Sequence, residues 1–158
     1  MVDVCWRRII LKAPLMKFCL IFMLLGLPSI CFSGNVQLKI LGSAGYNKIL
    51  FENTGKEFTL IFWSVTCPPC IKELALISKN KMYLNQKFVF VSTDSEQSSQ
   101  DVIALLKKLA LEDQDHWIFQ NGQAQAIISS VDDNWYGEVP RNYFFDEDHN
   151  RMRLRKIE

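Results

Sequence analysis

The stretch Phe62-Trp63-Ser64-Val65-Thr66-Cys67-Pro68-Pro69-Cys70 constrains this chain more than any other. It joins an apolar, β-prone run (Phe58-Thr59-Leu60-Ile61-Phe62) to a segment with apolar residues at helical spacing, Ile71, Leu74, Ala75 and Ile77. Two cysteines at i and i+3 at a helix start can lie on one face, close enough to close a small disulfide ring. The first sulfur then sits beside unpaired backbone N–H groups and the positive end of the helix dipole. Both favour thiolate over thiol and lower the pKa of Cys67. Pro68 and Pro69 suit the first turn of a helix, where a missing N–H costs no hydrogen bond. A strand, the sequence Cys-Pro-Pro-Cys and a helix together predict a dithiol/disulfide exchange site.

A chain of 158 residues with 49% hydrophobic content can bury one core and is too short for two comfortable ones. A net charge of +1 points to neither a nucleic-acid surface nor an acidic tail.

The N-terminus has the layout of a secretory signal peptide. Lys17 precedes the apolar run Phe18–Leu27, Pro28 breaks it, and the small residues Ser29, Ser33 and Gly34 follow. The run is shorter than the roughly 20 residues that span a bilayer. Residues 1–33 are thus expected to be removed after Ser33, with Met16 an alternative start. A retained segment would instead anchor the protein to a membrane. Without the signal the product is periplasmic or secreted. Residues 1–33 hold four basic side chains (Arg7, Arg8, Lys12, Lys17) and one acidic (Asp3), so residues 34–158 are mildly acidic. Cys5, Cys19 and Cys31 leave with the signal, and only Cys67 and Cys70 remain. Their ring is too small to constrain much of an unfolded chain, so a structural staple is a poor explanation for them and a redox role gains.

Beyond the signal, Val36–Leu41 alternates as a half-buried strand and Tyr46–Phe51 suits a short helix. Phe58–Trp63 and Lys87–Ser92 are continuous apolar runs, as central strands covered on both faces are. The helix after the cysteines should reach about Asn80, and a second should span Asp101–Leu111. Trp117–Phe119 reads as a strand and Gln123–Val131 as a helix. Asn142–Phe145 and Arg151–Arg155 flank an acidic turn and form a terminal hairpin. Alternating strands and helices closed by a hairpin predict an α/β three-layer sandwich with a central mixed sheet.

This pattern resembles the thioredoxin fold, and most the exported TlpA/DsbE-type branch of membrane-linked thiol-disulfide oxidoreductases. The likeness rests on Phe62-Trp63, on Cys67-Pro68-Pro69-Cys70, on Glu73 and on Val139-Pro140 before an aromatic strand. It implies a cis bond at Val139-Pro140, facing the disulfide, whose backbone pairs with the substrate chain. It further implies Cys67 as nucleophile and Cys70 as resolving thiol, with no cofactor beyond that redox-active disulfide and no metal. Partners would be protein thiols and disulfides, apocytochrome c among the candidates, and a membrane dithiol donor. Pro69 before the second cysteine resembles reducing members more than oxidising ones. An oxidant or isomerase using the same site is the alternative reading.

The sequence departs from the family in three places. Thr66 stands where Trp often precedes the first cysteine. Ile61 occupies the place of a buried acid, leaving proton transfer vacant or to Glu73. The chain stops at Glu158 without the helix that usually follows the hairpin, so that helix is expected to be missing by truncation, or one sheet face is left for a partner.

Other residues carry two readings each. Trp63 is core packing or part of the site, and Glu73 is a first-turn acid or a proton carrier. Trp135 and Tyr136 line a substrate groove or pack a loop. Arg141, beside Pro140, is expected among the substrate-binding residues, and to favour the Cys67 thiolate if its cation reaches it. Asp94 caps a turn. His116 and His149 are solvated or locally bonded. The rival reading is a copper or zinc carrier that joins one of them to Cys67 and Cys70, which the absence of a second closely spaced ligand pair disfavours.

Overall fold

Two apolar runs become the centre of the sheet, as their composition requires. The computed structural model describes residues 35–83, 85–155 and 157. The signal-peptide reading of residues 1–33 lies outside them.

Among the described residues the elements run β1 (Leu38–Leu41), α1 (Gly45–Glu52), β2 (Phe58–Trp63), α2 (Pro68–Lys79), β3 (Phe88–Ser92), α3 (Ser99–Lys108), β4 (Asp115–Phe119), α4 (Ala124–Val131), β5 (Arg141–Phe145) and β6 (Arg151–Leu154). Short 3₁₀ turns at Lys81–Tyr83 and Glu96–Ser98 follow α2 and precede α3. The strands form one sheet in the order β1-β4-β3-β2-β5-β6. The first four are parallel, β5 runs antiparallel to β2, and β6 runs antiparallel to β5 and so in the direction of the first four. The fold class is thus an α/β sandwich with a mixed sheet.

Strand periodicity divides the core in two. Phe58, Leu60 and Phe62 of β2, with Val89, Val91, Trp117, Phe119, Tyr143 and Phe145, point to the face covered by α1 and α4. Ile61 and Trp63, with Phe88, Phe90 and Ile118, point to the face covered by α2 and α3. Each fully buried aliphatic or aromatic side chain contributes about 1.5–3 kcal/mol. On α2 the buried residues are Cys70, Glu73, Leu74 and Ile77, the spacing of one helical face. The helix that begins at the cysteines is therefore clamped flat on the sheet.

The boundaries depart from sequence expectation where tertiary contacts decide them. α3 ends at Lys108, not Leu111, because Ala110 turns into the left-handed region (φ 53°) and Leu111 N–H bonds back to Leu106 O at 3.1 Å. Strand β4 starts two residues early, at Asp115, because pairing with β3 extends to Val89↔Asp115. Strand β1 starts at Leu38, two residues after Val36. No helix among the described residues is long and apolar enough to cross a membrane.

Candidate functional site

Cys67 is the N-cap of α2, with Pro68 and Pro69 in its first turn. The Cys70 backbone N–H points at Cys67 Sγ from 3.2 Å. Cys67 and Cys70 are joined as a disulfide, their Cα atoms 5.2 Å apart. The two sulfurs differ in access. Cys67 is 8% exposed and borders the exposed Thr66, Pro68 and Pro69, whereas Cys70 is fully buried against the sheet. An attacking chain would reach Cys67 first.

Facing Cys67 is the turn that enters β5. Val139-Pro140 is a cis peptide, and the Val139 carbonyl oxygen is 3.7 Å from Cys67 Sγ. When the pair is reduced, two groups compete for the charge on that sulfur. The Cys70 N–H and the helix dipole favour thiolate, and the Val139 carbonyl, an acceptor only, favours the protonated thiol.

Glu73, one turn along α2 from Cys70, is buried. Its Oε1 accepts hydrogen bonds from Asn142 Nδ2 at 2.8 Å and from Ile157 N–H at 2.6 Å. It is no solvent-facing first-turn acid but a link between α2 and β5. Ile61 lies in the core beside Trp63 and supplies no acid there. Trp63 packs in the same cluster as both cysteines, which is the core reading of that residue.

The guanidinium of Arg141 does not take up the thiolate-stabilising role expected of it. Alternation along β5 sends Arg141 to the same face as Tyr143 and Phe145, opposite α2. There its Nε donates to Tyr143 Oη, Nη1 to Glu138 and Nη2 to Asp132, each at 2.7 Å. It is 2% exposed, so a place in a substrate groove is corrected as well. Burial opposes charge on Asp132, but hydrogen bonds from Asn134 N–H, Tyr143 and Arg141 outweigh it and pull that carboxyl down to about 2. Burial pushes the Tyr143 phenol up to about 12.

Trp135 is corrected too. It is 2% exposed, its ring 4.5 Å from that of Phe62 and its Nε1–H bonded to Glu138 O at 2.8 Å. Tyr136, next in the chain, alternates outward and is 86% exposed. Its N–H donates to Glu138 Oε2 at 3.1 Å. The segment 132–140 is thereby tied from beneath by Arg141 and Glu138 and presents Val139, Pro140 and Tyr136.

His149 lies at the end of the sheet away from the cysteines, and His116 is level with Phe90 and Ile61 in mid-sheet. His149 sits in the β5–β6 turn with Nε2 3.2 Å from Asn53 O. His116, near the start of β4, donates from Nε2 to Leu111 O at 2.7 Å and stacks on Phe90. Each Nε2 is taken up by a backbone carbonyl, Asn53 O for His149 and Leu111 O for His116, and not by the cysteine pair. No group of three or more His, Cys, Asp or Glu among the described residues is arranged to hold a metal.

Sequence reasoning missed the cluster behind Cys67. Asp94 accepts the Ser64 hydroxyl at 2.7 Å, the Ser92 hydroxyl at 2.7 Å and the Val65 N–H at 3.0 Å. A signal for it existed. Ser64 directly follows β2, and Ser92-Thr93-Asp94 ends and follows β3. If the two strands are parallel neighbours, their trailing loops must lie side by side.

No protein-family model matches the sequence, and no curated protein is similar enough to be matched. Solved structures are. One is a secreted disulfide oxidoreductase of Mycobacterium tuberculosis homologous to E. coli DsbE, 18% identical, covering 68% of this chain and 74% of its own, with a TM-score of 0.50. Another is the thioredoxin domain of a thiol-disulfide oxidoreductase from Bacteroides vulgatus, 17% identical, covering 68% and 76%, with a TM-score of 0.56. A third, MTB DsbF in mixed oxidized and reduced forms, is 19% identical over 68% and 75%, with a TM-score of 0.51. The fold of this chain is thioredoxin-like.

Proposed function

We propose that this chain, a domain of thioredoxin-like fold, is a thiol-disulfide oxidoreductase acting on protein cysteines through Cys67 and Cys70. The observation that carries the proposal is the asymmetry of the pair. One sulfur, 8% exposed and flanked by exposed residues, caps a helix opposite the Val139 carbonyl, and the other, fully buried, lies one turn on. In the reducing direction, the Cys67 thiolate attacks a substrate disulfide. An S–S bond to Cys67 forms, and one substrate thiolate leaves. Cys70, deprotonated as it attacks, then bonds to Cys67 Sγ and releases the second substrate thiolate, so two electrons pass to the substrate. The reverse sequence oxidises a substrate dithiol. Val139 and Pro140 are assigned to align the incoming backbone, with Tyr136 beside them.

The reducing direction is proposed on the resemblance of Pro69 to the corresponding residue of reducing members. Export is proposed on the signal-like residues 1–33 and on the secreted character of the M. tuberculosis neighbour. Electrons would then come from a membrane dithiol donor, and apocytochrome c thiols are one candidate substrate.

Cys70→Ser should accumulate a mixed disulfide with substrate, and Cys67→Ser should lose insulin reduction. A Cys67→Ser variant as active as the unmodified chain overturns the proposal. The reduction potential of the pair decides direction. A value near roughly −270 mV supports the reductase, and one near roughly −120 mV the oxidant.

A further inference from the structure

Between β2 and α2 the chain must turn and deliver Cys67 to the helix end, yet Thr66, Pro68 and Pro69 are exposed. Cys67 and Cys70 are held by the core, and the exposed residues between β2 and α2 are held by hydrogen bonds. Ser64 is fully engaged. Its hydroxyl proton goes to Asp94 Oδ1, and its lone pairs receive Thr66 N–H at 3.1 Å and the Thr66 hydroxyl at 2.9 Å. The Ser64 carbonyl accepts Cys67 N–H at 3.1 Å. Asp94 is itself gripped by β3, because Ser92 donates its hydroxyl to Oδ2 and accepts Asp94 N–H at 3.1 Å. The register Trp63↔Ser92 sets the two loops side by side.

The chemistry explains why a carboxylate stands here. Three donors converge on Asp94, and a carboxylate accepts from all of them without any hydroxyl turning away. An amide would turn its N–H₂ toward the Ser64 hydroxyl and force that hydroxyl to rotate. Charge-assisted bonds are also about twice as strong as neutral ones.

Taking Cys67 and Cys70 as the exchange site, we propose that Asp94 is a positioning residue for the Cys67 sulfur. Through Ser64 and Val65 it holds the turn so that Cys67 Sγ stays on the Cys70 N–H and opposite Val139. Two effects of removing it have opposite signs. Loss of a negative charge near the site would favour the thiolate, whereas loss of position would take the sulfur off the helix end and disfavour it.

The test is the rate of Cys67 alkylation by iodoacetamide against pH, read by peptide mass spectrometry on the reduced full chain, with circular dichroism as a folding control. Asp94→Ala should slow Cys67 at pH 7 by about fivefold, the worth of one hydrogen bond, and move its midpoint to higher pH. Asp94→Asn, whose amide oxygen can still take Ser92 and Val65 N–H while its N–H₂ turns the Ser64 hydroxyl over, should slow it less than Asp94→Ala. Ser64→Ala, which removes no charge, should slow it roughly two- to threefold, and Asp94→Ala combined with Ser64→Ala should be no slower than Asp94→Ala alone. An unchanged or faster Cys67 in Asp94→Ala overturns the proposal, as does strict additivity in the double variant. Should Asp94→Ala fail to fold, Ser64→Ala and Ser92→Ala decide by the same readout, an unchanged profile in both overturning it. If Cys67 of the unmodified chain reacts no faster than a free thiol, the exchange reading falls. If it is reactive and Asp94→Ala is unshifted, only the positioning role falls.

Discussion

Glu73 Oε1 lies 2.8 Å from Asn142 Nδ2, tying the helix that carries Cys70 to the strand that follows Pro140. The two halves of the candidate site come from segments about 70 residues apart in sequence, and this buried bond is one place where they are joined. The same oxygen also receives Ile157 N–H. Glu73→Ala would leave both donors buried without it, at about 1–3 kcal/mol each before relaxation. A loss of about 2–4 kcal/mol is expected from urea denaturation, with Glu73→Gln losing less because one acceptor oxygen remains. Equal losses in the two variants would show that charge, and not acceptor geometry, matters there.

The Arg141 cluster should govern the acid limb of stability. Asp132 titrates near 2 in the folded protein, against an ordinary carboxylate value near 4. A depressed carboxylate contributes stability above its unfolded pKa and loses it as pH falls through the folded one, so this contribution should fade between about pH 4 and 2. Arg141→Met leaves Asp132 without its cation, Glu138 keeping Arg153 at 3.9 Å, and should cost about 3 kcal/mol at pH 7, with a flatter acid limb. Urea midpoints at pH 7 and pH 3 give both numbers.

His116 acts at milder pH. Burial lowers its pKa, and the bond to Leu111 O together with Asp115 and Glu112 opposes that shift without reversing it. Neutral imidazole is therefore the folded form. The unfolded chain takes up its proton first, so stability present above about pH 6.5 should decline as pH falls below it. In His116→Gln the decline between pH 7 and 5.5 should be smaller. A slope identical to that of the unmodified chain would assign the decline to other groups.

Trp135 and Tyr136 are neighbours with opposite fates. Trp135→Ala empties core space beside Phe62 and should cost about 3–5 kcal/mol. Tyr136→Ala removes an exposed ring and should leave stability within about 0.5 kcal/mol. If Tyr136 touches substrate, its loss should raise KM for a peptide disulfide with kcat unchanged. An unaltered KM would remove it from the site.

Ala110 offers a stabilising change. Its left-handed backbone disfavours any Cβ by about 1–2 kcal/mol, and glycine returns part of that gain as unfolded-state entropy. Ala110→Gly should raise the Tm slightly, as a scan by differential calorimetry would show.

Local chemistry by itself determined much of this protein. Continuous apolar runs at Phe58–Trp63 and Phe88–Ser92 announce central strands, because a strand covered on both faces has no polar side. Cys67, Pro68, Pro69 and Cys70 at a strand-to-helix junction announce a capped pair of sulfurs, because helix-end electrostatics and proline geometry act within one turn. Those effects depend on neighbours a few residues away, and sequence spacing records them. Only the tertiary structure decided which side chains meet across the sheet. Arg141 faces away from Cys67, Trp135 fills the core, Glu73 reaches Asn142, and Asp94 holds Ser64, all through partners set by strand order and register. A shift of one residue in the β2–β5 pairing would exchange the faces of Arg141 and Asn142. Nothing in the spacing of β5 alone says which of the two faces the cysteines.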